Sequence, residues 1–182
     1  IEITENEQIY YDAVVEFVIY LFHLKNPKIP SGFITVMPER MASSCMSASL
    51  ESFKNMRSTK KFFASEIDDL DNEFDDFDLN IGVLEKLDDL IHKGELIGQY
   101  DSKFDAFIEF INDLKKQNIN KVIVFSFFKK TLSYLESKLL ERSIKVGKID
   151  GDIDPEDRYE IINHFREDKF DILLSSEVGS EG

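Results

Sequence analysis

The chain has 182 residues, 42% of them apolar, and a formal net charge of −14. That is enough apolar material for the core of one domain, or one and a half. It excludes a membrane span, because the most apolar stretch, Val14 to Leu24, is interrupted by Glu16 and His23 and falls short of the roughly eighteen apolar residues a span requires. The acidic balance counts against tight, free-standing nucleic-acid binding driven by phosphate neutralisation, without excluding a local site. The single Cys45 rules out an internal disulfide framework and suits a reducing, cytoplasmic setting. The chain opens Ile-Glu-Ile-Thr, with no secretory signal and no initiating Met, and reads as a piece of a longer protein.

Thr4 and Glu7 form a T-x-x-E capping pair. Behind it, Ile9, Ala13, Phe17, Tyr20, Leu21 and Leu24 recur at helical spacing, which predicts a helix over residues 5–25 stopped by Asn26-Pro27 and Pro30. A second helix is expected from Pro38, suited to a first turn, to about Asn55. Met41, Cys45, Met46 and Leu50 would share one face, and the small residues Ala42, Ser43, Ser44, Ser47 and Ala48 would allow close packing. Residues 66–78 hold eight acids and no base, so self-repulsion predicts a solvated, protease-sensitive linker. A further helix is expected over 81–98, with Ile81, Leu84, Leu87, Leu90 and Ile91 on one side.

From residue 101 the pattern alternates between helix and strand. Ser102 reads as an N-cap with Asp105 in the first turn, opening a helix to Lys116 with Phe104, Phe107, Ile108, Ile111 and Leu114 on one face. Lys121 to Phe125 reads as a buried strand, Lys129 to Arg142 as a helix with Leu132, Leu135 and Leu139 inward, and Ile144 to Ile149 as a strand. Asp154-Pro155 starts another helix, capped by the Asp, with Tyr159, Ile162 and Phe165 inward; Asp171 to Ser175 is the last strand. The fold class expected is α/β, a parallel sheet covered on both faces and preceded by an α-helical region.

In such sheets ligands gather at the carboxyl ends of the strands. Three polar segments fall there: Ser126-Phe127-Phe128-Lys129, Asp150-Gly151-Asp152, and Ser175 to Gly182. Hydroxyls, exposed amides and flexible glycine are suited to holding phosphates along a backbone. The order V-I-V-F-S, helix, I-D-G, helix, D-I-L-L-S-S-E-V-G-S-E-G resembles the second RecA-like lobe of a superfamily-two helicase, over roughly residues 100–182. The run S-E-V-G-S-E-G is most similar to Swi/Snf-type ATPases of the RapA/HepA-like branch. The helices of residues 1–99, including Glu39-Arg40-Met41-Ala42-Ser43-Ser44, resemble the helical connection between the two lobes in that family. The resemblance implies nucleic-acid contact by Ser126, Gly151, Ser176 and Ser180. It assigns Glu177, Gly179, Glu181 and Gly182 to motif five, which couples the track to ATP. It also implies ATP and Mg as cofactors of the intact protein, a first RecA-like lobe as partner, and a nucleic-acid track, double-stranded DNA ahead of RNA, with RNA polymerase or another nucleoprotein as client.

Several parts of such a machine are missing from these residues. There is no G-x-x-x-x-G-K-[ST] loop, no strand-borne D-E-x-H and no arginine-bearing motif for the γ-phosphate, so no catalytic residue, no metal site and no ATP turnover is expected of this stretch alone. Other groups read as structural. Cys45 sits on an apolar helix face, His23, His92 and His164 have no ligand-spaced partner, and Arg158 is expected to pair with Glu156 or Glu160. Two other classes stay open: an acidic protein-interaction adaptor with a small α/β domain and no ATP dependence, and a different two-lobe enzyme such as an unwinding helicase or restriction motor.

Overall fold

The computed structural model describes residues 1–25, 36–59, 80–98 and 100–176. The acidic run 66–78 and the stretch Glu177 to Gly182 lie outside the described residues, and with them fall the expectations for Glu177, Gly179, Ser180, Glu181 and Gly182. The chain divides into two compact units, Ile1–Lys103 and Phe104–Gly182.

The first unit is helical: α1 (Glu5–Lys25), α2 (Val36–Ser44), α3 (Met46–Thr59) and α4 (Ile81–Glu95). Its helices pack α1 on α4 and α2, and α3 on α2 and α4. The Thr4–Glu7 capping pair forms reciprocally: Thr4 N–H donates to the Glu7 carboxylate at 2.6 Å and Glu7 N–H donates to Thr4 Oγ1 at 3.3 Å. The buried stripe of α1 is Tyr10, Ala13, Val14, Phe17, Val18 and Leu21, whereas Ile9 and Leu24 are exposed. The expected stripe was therefore right in its middle and wrong at both ends. A helix packed on two neighbours buries a wider face than one apolar column, and here that face runs through Glu7, Tyr10, Val14, Val18 and Leu21, leaving Ile9 and Leu24 outside it.

The single helix expected from Pro38 to Asn55 is two helices, broken at Cys45. The thiol explains the break, since Cys45 Sγ accepts from Ala48 N–H at 3.4 Å and serves as a cap for α3. Backbone bonds on either side, Cys45 N–H to Met41 O and Ser49 N–H to Cys45 O, bridge the two helices across the break. In α4 the buried positions are Val83, Leu87, Leu90 and Gly94, with Ile81 outside at 78% exposure. Asn80 caps it, its side-chain oxygen accepting from Val83 N–H at 3.1 Å. Gly94 is where α4 comes closest to its neighbours: a Cβ there would meet Leu50 at 2.6 Å and Tyr10 at 2.9 Å.

Cys45 is buried, and burial pushes its thiol up to about 12. The thiolate is the reactive form. Native protein at pH 8 is therefore expected to resist a thiol-specific chromogenic reagent, releasing one equivalent of product only after guanidinium unfolding. Rapid labelling of the folded chain would contradict this packing.

The second unit is the α/β portion. It is built from α5 (Ser102–Lys116), β1 (Val122–Phe125), α6 (Lys129–Glu141), β2 (Val146–Ile149), α7 (Pro155–Arg166) and β3 (Ile172–Ser175). The strands form one sheet in the order β1-β3-β2, with both pairings parallel. Register sets the faces. Val122, Ile172 and Val146 stand side by side, as do Val124 and Leu174, and these join Phe104 and Ile111 of α5 and Leu132 and Leu139 of α6 in one core. On the opposite face lie Gly147, Leu173 and Ile149, and there Phe170 sits directly over Gly147, stacked on Phe165 of α7 at 5.8 Å. The central strand β3 is buried along its whole length, as a strand covered on both faces should be.

Several expectations for this unit need correction. β1 is not buried on both sides, because Ile123 and Phe125 are exposed on the face that α7 leaves open. Tyr159 points outward at 65% exposure. Ser102, which starts α5 but still belongs to the first unit, does not cap the helix; its N–H and hydroxyl both donate to Glu7 of that same unit, at 2.9 and 2.6 Å. Asp154 has the extended backbone of an N-cap, but its side chain makes no capping bond.

Candidate nucleic-acid interface

The parallel register brings the three strand ends into one row. Phe125, Ser175 and Ile149 are the last paired residues. One residue further on, Ser126 N–H donates to Ser175 O at 3.1 Å and Ser176 N–H donates to Ile149 O at 3.0 Å. The rim therefore runs Ser126, Ser176, Asp150, with Gly151 next to Asp150 in the turn. Neighbouring strands lie about 4.8 Å apart, so three tips present a ledge of about 10 Å.

Each tip is organised by its own local bonds. Ser126 is half-buried, and its Oγ accepts from Phe128 N–H at 3.2 Å, bending the chain into α6. Asp150 is buried, and its Oδ1 accepts from Asp152 N–H at 3.1 Å while Ile153 N–H donates to Asp150 O at 3.3 Å, so the β2–α7 turn folds back on the aspartate. Gly151 is exposed in that turn. Its φ is not in the left-handed region, where Gly98 is the only glycine among the described residues. Ser175 Oγ donates to Ser176 O at 3.1 Å. Ser176 itself is buried, and its hydroxyl has no hydrogen-bond partner among the described residues. A covered, unpaired hydroxyl is costly and usually marks an absent partner.

The sequence-derived contact residues thus divide. Ser126 and Gly151 stand at the accessible ends of the row, and Ser176 lies between them with its side chain covered. The expected pairing of Arg158 with Glu156 or Glu160 is absent. Arg158 is half-buried, its Nε is covered and has no partner among the described residues, and Glu160 faces His164 at 3.7 Å instead. Arg158 stands one turn into the helix that leaves this rim.

Two lysines at the rim are already engaged. Lys129 Nζ pairs with Asp152 at 3.1 Å. Lys148 reaches Glu136 at 2.9 Å, Ser133 Oγ at 3.3 Å and Asp150 at 3.8 Å. No group of three His, Cys, Asp or Glu side chains among the described residues is arranged to hold a metal ion.

Residues 102–182 match the family described as the helicase conserved C-terminal domain. The chain is 32% identical over 93 residues to the ATP-dependent RNA helicase DBP3 of Lodderomyces elongisporus, an alignment that covers 48% of this chain and 17% of that protein. The chain thus spans about a sixth of that relative. In structure it is similar to the Pyrococcus furiosus Hef helicase domain, with a TM-score of 0.57 at 18% identity, covering 98% of this chain and 44% of the other. It is also similar to the C-terminal part of the Fun30 ATPase domain, with a TM-score of 0.50 at 18% identity, covering 96% of this chain and 66% of the other. The Swi/Snf and RapA-like subtype expected from motif five finds no support in the DBP3 match, which is named for RNA. With its parallel sheet and flanking helices, the segment from residue 102 onward has a RecA-like α/β fold, and it is similar over residues 102–182 to the helicase conserved C-terminal domain.

Proposed function

We propose that this chain supplies the helical connector, residues 1–99, and the second lobe, residues 100–182, of an ATP-driven motor that moves along nucleic acid. The observation that carries this reading is the row of strand tips Ser126, Ser176 and Asp150-Gly151, a ledge of backbone and hydroxyl groups within a helicase C-terminal domain. Ser126 and Gly151 touch the sugar–phosphate backbone directly. Ser176 and Ser180 join them when the lobes close, and Glu177, Gly179, Glu181 and Gly182 relay that contact toward the nucleotide. ATP and magnesium are held by parts of the intact protein beyond these residues, and supply the phosphoryl chemistry. The protein's own contribution is to grip, orient and release the track.

The track is RNA on the present balance, because the matched relative DBP3 is named as an RNA helicase. A second reading, a Swi/Snf-type translocase on double-stranded DNA, rests on the run Ser176-Glu-Val-Gly-Ser-Glu-Gly182. Both are tested by ATP turnover of the full-length protein with single-stranded RNA, duplex DNA or neither. Stimulation by RNA supports the first reading, stimulation by duplex alone the second, and stimulation by neither returns the chain to an adaptor role. In the intact protein, Ser176→Ala with Ser180→Ala is expected to lower nucleic-acid-stimulated turnover about tenfold. That is the loss of roughly one charge-assisted hydrogen bond, and nucleotide affinity should be unchanged. Full stimulation in the double variant would remove these serines from the interface.

A further inference from the structure

We propose that Phe127 is a stacking platform for an unpaired base, so that the strand-tip ledge takes single-stranded nucleic acid rather than a duplex; this rests on the motor reading above and goes beyond it. Phe127 is the residue after Ser126, whose N–H is tied to Ser175 O, so its ring emerges at the rim itself. It is 40% exposed. It is also held in place, because its ring meets that of the buried Phe128 edge-on at 5.6 Å and 79°, while Phe128 N–H is fixed to Ser126 Oγ. An aromatic ring anchored on one side and open on the other costs little ordering when a flat ligand lies on it.

Electrostatics favours such a contact. Binding to nucleic acid ordinarily draws on unpaired Lys and Arg, with counterion release. Here Lys129 is engaged by Asp152, Lys148 by Glu136 and Asp150, and the chain as a whole carries −14. With Lys129 and Lys148 matched by carboxylates, uncharged stacking adds grip that these two lysines do not supply. Stacking needs a base free of its partner strand, and it tolerates any base because each has a π face. The site is therefore selective for strandedness and indifferent to sequence.

The test uses the full-length protein with a non-hydrolysable ATP analogue and two fluorescein-labelled twelve-nucleotide RNAs, an oligoadenylate and the same chain with abasic sugars. Phe127→Ala is expected to weaken oligoadenylate binding about 5- to 150-fold, the range for loss of one base–aromatic stack, and to leave abasic binding unchanged. Phe127→Trp should retain affinity. Phe127→Leu, which preserves the contact with Phe128, should lose it like Ala, and melting temperatures check that each variant is folded. Unaltered oligoadenylate binding by the Ala and Leu variants overturns the proposal, as does an equal loss on the abasic strand. Failure of the unsubstituted protein to bind either RNA would sink the single-stranded RNA track together with the platform, whereas RNA binding that ignores Phe127 sinks only the platform.

Discussion

Replacing Gly147 by valine is expected to cost the α/β unit about 3 kcal/mol and to lower its melting temperature by roughly 10–20 °C. Glycine inside a strand is normally a weakness, since it contributes no side chain to the pleat. At Gly147 it is a requirement: any Cβ would overlap the ring of Phe170, which lies against the strand and stacks on Phe165. The valine must push that ring off the sheet, with overpacking strain of about 1–3 kcal/mol and loss of an aromatic pair worth about 0.5–1.5 kcal/mol. The higher strand preference of valine returns at most about 1 kcal/mol. Because β2 closes one edge of a three-stranded sheet, the damage should be local. Amide exchange of residues in β2 and β3 should accelerate, and that of α1 and α4 should not. Combining Gly147→Val with Phe170→Ala opens the space again and should recover part of the loss, giving a negative coupling energy in the double-mutant cycle. A valine variant as stable as the parent would mean that Phe170 does not rest on the strand.

Much of this architecture was legible before any coordinates, and the reasons differ from element to element. The strands announced themselves by short apolar runs ending in polar turns, and the alternation with amphipathic helices implied parallel pairing. The order β1-β3-β2 was not legible, because which strand is central depends on crossovers that leave no local mark. Nor was the exposure of Ile123 and Phe125, since an apolar run looks the same whether one face or two is covered. The break at Cys45 was hidden because thiol capping has no composition signal, and Tyr159 was misplaced because a helix lying across a small sheet presents a narrower inner face than its apolar residues suggest.

The strand ends were legible in position but not in state. Ser126, Gly151 and Ser176 could be placed after strand ends from sequence, and the register sets the last paired residues Phe125, Ser175 and Ile149 side by side. That the Ser176 hydroxyl would be covered, that Arg158 would stand without a carboxylate, and that Lys129 and Lys148 would be spoken for are consequences of three-dimensional packing. Such pairings join residues far apart in the chain, as in Lys129–Asp152, and no spacing rule anticipates them. The presence of Phe127 at the rim could have been noticed from its place beside Ser126. Its exposure could not, because its neighbour Phe128 has the same chemistry and is buried.

The last of the large effects concerns Glu7, whose carboxylate does two jobs at once. One oxygen accepts from Thr4 N–H and from Ser102 Oγ, and the other accepts from Ser102 N–H, so the start of α1 is tied to Ser102 at the far end of the same unit. The side chain is buried. Burial on its own would raise its pKa; the bonds from Ser102 and Thr4 more than offset this and hold it below the ordinary value of 4.5. A carboxylate depressed on folding contributes stability that is fully present above its unfolded pKa and is lost as pH falls through its folded one. Glu7→Gln removes the charge and turns one oxygen into a donor facing other donors, an expected cost of about 2 kcal/mol at pH 7. The stability gap between parent and variant should therefore hold steady from pH 8 to about pH 5 and narrow progressively below 4.5, as the parent's carboxyl takes up its proton. Denaturant unfolding of both proteins across that range measures the gap directly. A gap that stays constant down to pH 3 would show that the Glu7 carboxylate is not held below its ordinary pKa by Thr4 and Ser102.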